Sequence, residues 1–162
     1  MHITPNKTWL LGAMSFLSLT CSALASASLV LELNNAGLES VRDADYLRPD
    51  GSGALLRVRQ PGDAFDDAVD LSRGFSVFVH GMSGNPNHLH ALIAESVNQG
   101  IPSYVFVYND MRRHLKQSGD ELAQEIQSLL ASKQGKRVRI VATSAGSLVA
   151  RSAMNTLASC AE

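Results

Sequence analysis

The sequence predicts an α/β protein, a three-layer α/β/α sandwich with a mostly parallel sheet. From residue 74 onward, short apolar runs of strand length alternate with segments whose apolar residues recur at helical spacing. This alternation is typical of βαβ units, in which parallel strands lie between layers of helices. The composition, with 45% hydrophobic and 18% charged residues, is that of an ordinary globular domain.

The elements of this region are predicted in order. The strands are expected at residues 75–79, 104–108 and 138–142, each an apolar or β-branched run. The first helix begins at Asn85-Pro86, with Asn as N-cap, and ends at Gly100. Its apolar face is formed by Leu89, Leu92, Ile93 and Val97.

The second helix is predicted to begin at Ser118-Gly119-Asp120-Glu121, which fits a capping box, and to end at Gly135. A third helix begins near Ala145. Two shorter runs upstream, residues 29–33 and 54–58, are also candidate strands.

The first residues have the pattern of an export signal. Lys7 precedes an apolar stretch from Trp9 to Leu19, which is shorter than the roughly 20 residues that span a bilayer. Small residues then fit cleavage after Ala25 or Ala27. We expect residues 1–25 to be a signal peptide and residues 26–162 to be the folded part. The protein would be exported, to the periplasm or outside the cell, with no stable membrane span after cleavage.

The charge balance gives no indication of nucleic-acid binding. With 14 Lys and Arg against 15 Asp and Glu, and no basic run, nucleic-acid binding is not expected. The sequence has no Cys/His ligand cluster and no Gly-Lys-Ser/Thr phosphate loop, so no metal and no cofactor is predicted. Nothing in the sequence indicates a protein partner.

The segment around Ser144 joins the strand at 138–142 to the third helix with almost no loop. On such a turn a serine hydroxyl is exposed above the carboxyl end of the sheet, and the residues two before and two after it must be small. Ala142 and Gly146 meet this need. The helix N-terminus also favours developing negative charge. Ser144 is therefore a candidate nucleophile, although a plain tight turn fits the same string.

The stretch from Ala142 to Arg151 resembles the nucleophile elbow of secreted lipases and esterases in the α/β-hydrolase superfamily, with Ala for the usual first Gly and Thr143 for the usual His. The stretch from Val77 to Met82 resembles their strand and His-Gly turn. The resemblance covers approximately residues 75–158. It implies the α/β-hydrolase fold and hydrolysis of a small-molecule or lipid ester.

The resemblance also assigns roles to single residues. It implies an oxyanion hole formed by the backbone amides of Met82 and Ala145, in which each donor contributes about 3 kcal/mol to catalysis. It implies that His80 orients its loop and is not the base.

The other members of a catalytic triad are absent from the chain. In this superfamily the acid and then the His follow the serine, but no His follows Ser144 and Glu162 is the only later acid. His88 and His90 are expected to face solvent. We expect a domain truncated after the elbow helix, with strand 138–142 at an open edge. The acid and the His would lie beyond residue 162, and the 162-residue chain alone would be inactive. The alternative is a noncatalytic remnant that keeps the hydrolase scaffold.

Overall fold

The computed structural model describes residues 30–34, 37–38, 46–60, 69–82, 85–133 and 137–160. The strands are β1 (Val30–Asn34), β2 (Gly37–Leu38), β3 (Ala54–Arg59), β4 (Phe75–Val79), β5 (Ser103–Val107) and β6 (Val138–Ala142). The helices are α1 (His90–Asn98), which follows a 3-10 turn at Pro86–Leu89, α2 (Leu115–Lys133) and α3 (Ala145–Ser159). The predicted signal peptide lies outside the described residues.

The strands form one mixed sheet in the order β2-β1-β3-β5-β4-β6. Strands β5, β4 and β6 are parallel, so their carboxyl ends meet at one edge of the sheet. β1 also pairs with β3 in parallel, whereas β3 is antiparallel to β5 and β2 is antiparallel to β1. The α/β class is confirmed. The sheet was expected to be mostly parallel, but it is mixed, and only some of its strand pairs are parallel.

The core consists of two apolar clusters on opposite faces of the sheet. One joins α1, through Ile93, to Phe78 and Val105. The other joins α2 and α3, through Leu122 and Val149, to alternate residues of the same strands. All residues of β4 and β5 are buried, as expected for strands covered on both faces. The sheet therefore lies between one helix and two helices.

Local signals predict some boundaries well and others poorly. β4 and β6 have their predicted limits, and the Asn85 side chain accepts a hydrogen bond from the Asn87 amide as an N-cap should. Leu92, which was predicted to lie on the apolar face of the first helix, is 54% exposed. The start predicted for α2 was wrong, because the helix begins at Leu115 and contains Ser118 in its first turns. The predicted end at Gly135 lies outside the described residues.

β6 is the last strand of the sheet in the part of the chain that is described. Its residues are only partly buried, and Arg139 is exposed. No other described strand pairs with the outer side of β6, so its backbone donors and acceptors there have no strand partner among these residues. Among the described helices, none is both long enough and apolar enough to cross a membrane.

Candidate active site

The turn between β6 and α3 is held against the end of β4. The Thr143 amide donates to the Val79 carbonyl over 3.2 Å, which extends the pairing of β4 and β6 by one residue. Ser144 follows as the N-cap of α3, with φ 51° and ψ −129°. It is the one residue other than glycine with positive φ in the described ranges, and its side chain is exposed. Such a conformation costs about 1–3 kcal/mol and is found mainly at functional sites.

Two glycines allow the backbones to approach each other at this turn. A Cβ atom on Gly146 would lie 2.2 Å from the His80 carbonyl oxygen and 2.7 Å from that of Val79. A Cβ atom on Gly81 would lie 2.8 Å from the Cβ of Ser144. The expected need for a small residue at 146 thus has a specific cause, which is backbone contact between α3 and the turn after β4. Ser144 and Gly81 are consequently in van der Waals contact.

The turn after β4 packs against the stacked rings of His80 and Tyr108. His80 is fully buried, its Nδ1 lies 2.8 Å from the Gly81 carbonyl oxygen, and its ring stacks on Tyr108 at a centroid distance of 4.7 Å. The Tyr108 hydroxyl donates to the His80 carbonyl over 2.9 Å. This carbonyl is the one that Gly146 approaches. From the sequence, Tyr108 was predicted only as part of a strand. The available signal was that Tyr108 directly follows β5, the strand that pairs with β4.

The two amides predicted to form an oxyanion hole lie in the turns that meet here. Ala145 is the first residue of α3, so its amide has no acceptor one turn earlier in the helix. Met82 follows Gly81 and its side chain is 57% exposed. No hydrogen bond to another described residue occupies the Met82 amide. The amide of Ala145 likewise makes no hydrogen bond to another backbone group of the described residues.

The histidines give no base in the described part of the chain. His88 and His114 are exposed, and His80 is enclosed beneath the turn. His90 is half-buried and its Nε2 has no hydrogen-bond partner, so the expectation that it faces solvent was wrong. The described residues contain no group of three or more His, Cys, Asp or Glu side chains that could hold a metal ion.

The loop after β5 is anchored beside this end of the sheet. Arg113 lies in that loop, and its guanidinium donates to Glu121 over 2.5 Å and to the carbonyls of Asp50 and Gly51. Glu121 also accepts from the Gly53 amide over 2.9 Å. One helix and two loops are therefore joined by a single partly buried ion pair, which fixes the wall next to the candidate site.

Comparison with known families supports an esterase assignment. Residues 73–161, more than half of the chain, match the family described as "Putative serine esterase (DUF676)". The chain belongs to this family. The matched range begins just before β4 and includes the turns after β4 and β6. No match is found among curated proteins.

Proposed function

We propose that Ser144 is the nucleophile of a serine esterase of the α/β-hydrolase fold, acting on small-molecule or lipid esters. The observation that carries the proposal is the backbone of Ser144. Ser144 has positive φ, is exposed at the carboxyl end of a parallel strand and is followed at once by a helix, and these features support its assignment to a nucleophile elbow. The family match supports the same reaction class.

In the proposed reaction the Ser144 Oγ bonds to the carbonyl carbon of the ester. The hydroxyl proton passes to a general base, and the alcohol leaves after receiving a proton, so that an acyl-serine remains. Water then hydrolyses the acyl-serine and restores the hydroxyl. In both steps the carbonyl oxygen becomes negative, and the amides of Met82 and Ala145 are the donors proposed to stabilise it.

The proposal assigns no base and no acid, because no His follows Ser144 in the sequence and Glu162 is the only later acid. His80 does not replace the base in this proposal. Its ring is enclosed and its Nδ1 is engaged with the Gly81 carbonyl. It holds the turn that carries the Met82 amide.

Labelling with a fluorophosphonate in the presence of imidazole tests the nucleophile without the missing base. Imidazole in solution supplies a proton acceptor, so we expect a covalent adduct at Ser144 whose rate of formation rises with imidazole concentration. Mass spectrometry of the digested protein locates the adduct. Ser144→Ala is expected to abolish it.

Ser147→Ala is the matched control, because Ser147 is an exposed serine in the first turn of the same helix. It is expected to label like the unchanged chain. An adduct spread over several serines, or a rate that does not depend on imidazole, would contradict the proposal. That result would favour the second candidate, a noncatalytic scaffold, which the absence of a later His supports.

A further inference from the structure

A cleft of about 740 Å³ lies at the amino ends of β4, β5 and β6, opposite to the edge that carries Ser144. Three arginines line it: Arg73, Arg137 and Arg139. Arg48, Arg113 and Lys116 form ion pairs within the described ranges, whereas none of the three guanidinium groups of the cleft forms an ion pair or a hydrogen bond with these residues. Asp70, beside Arg73, is the acidic residue of the described ranges that lies near them.

The strand geometry directs two of these arginines to the same side. Side chains two apart on a strand share a face of the sheet. Val141 packs against the cluster that contains α1, whereas Val138 and Ile140 pack against the opposite cluster. Arg139, two residues before Val141, therefore lies on the α1 face, and Arg137 continues that side just before the strand.

The third arginine is held near them by the turn that leads into β4. Gly74, with φ +100°, follows Arg73 and its amide donates to the Leu71 carbonyl over 2.9 Å. A Cβ atom on Gly74 would lie 3.1 Å from the Arg137 carbonyl oxygen, and the Phe75 amide donates to that oxygen over 3.1 Å. The backbones that carry Arg73 and Arg137 are thus fastened together.

Among the described residues, the negative groups at the cleft are fewer than the arginines. Asp70 is the one acidic side chain of these residues that lines it. Its pKa is below the usual value, chiefly because its carboxylate accepts a hydrogen bond from the Ser72 amide and also because Arg73 is near, so it is ionised at neutral pH. The C-terminus of α1, at Gln99, adds the equivalent of about half a negative charge. Three positive charges still exceed these.

We propose that this cleft binds a dianionic phosphoryl group, either free phosphate or a phosphate monoester of a small molecule. A phosphoryl group offers three acceptor oxygens, which match the planar donors of several arginines better than a single carboxylate does. The cavity volume is within the range of sites that hold small organic ligands. This site is separate from Ser144 and does not depend on the esterase proposal.

Isothermal titration calorimetry of the purified chain, at constant ionic strength, tests the site with inorganic phosphate and with glycerol 3-phosphate. We expect one bound ligand per chain. Arg139→Gln is expected to weaken binding about tenfold, since it removes a charge-assisted hydrogen bond. Equal affinity for the two probes indicates free phosphate as the ligand, and tighter binding of glycerol 3-phosphate indicates a monoester.

Two further variants keep the result unambiguous. Arg73→Gln should weaken binding similarly, and it decides the matter if the edge-strand variant does not fold. Arg112→Gln changes an exposed arginine in the loop after β5, away from the cleft, and should bind like the unchanged chain. No binding at millimolar ligand, or equal weakening by Arg112→Gln, would overturn the proposal.

Discussion

At the carboxyl ends of β4 and β6 the backbone is packed so closely that a single Cβ atom cannot be added, whereas at the amino ends of the same strands a cleft remains open. The first region contains Ser144, the one described residue other than glycine with positive φ. The second contains three arginines. Function at the first end is expected to depend on geometry, and at the second on charge. Substitutions can separate these two dependences.

The largest effect is expected from Gly146→Ala. Its Cβ would meet the His80 and Val79 carbonyl oxygens at 2.2 and 2.7 Å, and both belong to backbone that cannot rotate away. We expect the free energy of unfolding to fall by about 3 kcal/mol or more, the upper range for overpacking. Urea denaturation measures it. Fluorophosphonate labelling at Ser144 should be lost together with the stability.

Gly100→Ala is the matched control for this clash. Gly100, unlike Gly146, has positive φ, at +69°, and nothing lies within 4 Å of a Cβ there. Its cost should be only the conformational one, about 1–2 kcal/mol. If the two variants lost equal stability, the close approach of α3 to the β4 turn would not be what requires glycine at 146.

A smaller effect of opposite sign is expected from Ser144→Gly. Glycine adopts φ 51° and ψ −129° without the steric cost that serine has there, and removing a strain of about 1–3 kcal/mol outweighs the flexibility that glycine adds to the unfolded chain. We expect the free energy of unfolding to rise by about 1 kcal/mol. Thermal or urea denaturation measures the change.

Ser147→Gly provides the comparison within the same helix. Ser147 is exposed and has no positive φ, so glycine should lower the stability there by roughly 0.5 kcal/mol. A loss of stability in both variants would mean that Ser144 is not strained. The special geometry at the carboxyl ends of β4 and β6 would then consist of close backbone packing, without strain at Ser144.

The geometric end of the molecule was largely predictable because its signals are local. A β-branched run, a serine and a glycine two residues later are consecutive in the chain, so the sequence predicted β6, the turn at Ser144 and the start of α3. The His-Gly turn after β4 is equally local. Tyr108 was not predicted as part of this site, because its contact with His80 spans 28 positions of the chain.

The errors occurred where distant contacts override local preference. The capping box from Ser118 to Glu121 predicted a helix start, yet Gly119 lies inside α2, where a Cβ would be 2.4 Å from the Ser152 Cβ on α3. The close crossing of α2 and α3, rather than the start of a helix, accounts for this glycine. The antiparallel pairing of β3 with β5 has no local signal, since an apolar run does not encode strand direction. The arginine cleft likewise joins residues of three separate segments.

The smallest effect concerns the charged end and is expected from Asp70→Asn. The low pKa of Asp70 keeps it ionised throughout the neutral range, so it opposes an anion in the cleft. Asparagine retains an oxygen that can accept from the Ser72 amide, so the turn should persist while the charge is removed. We expect phosphate to bind about two- to fivefold more tightly, a small gain because solvent weakens the interaction between exposed charges. Calorimetric titration at low and at high salt measures this gain in affinity, and the gain should shrink as salt screens the charge.

Asp120→Asn, which changes a carboxylate on α2, is the control and should leave phosphate affinity unchanged. If Asp70→Asn weakened binding, the carboxylate would be orienting Arg73, and charge alone would not explain the cleft.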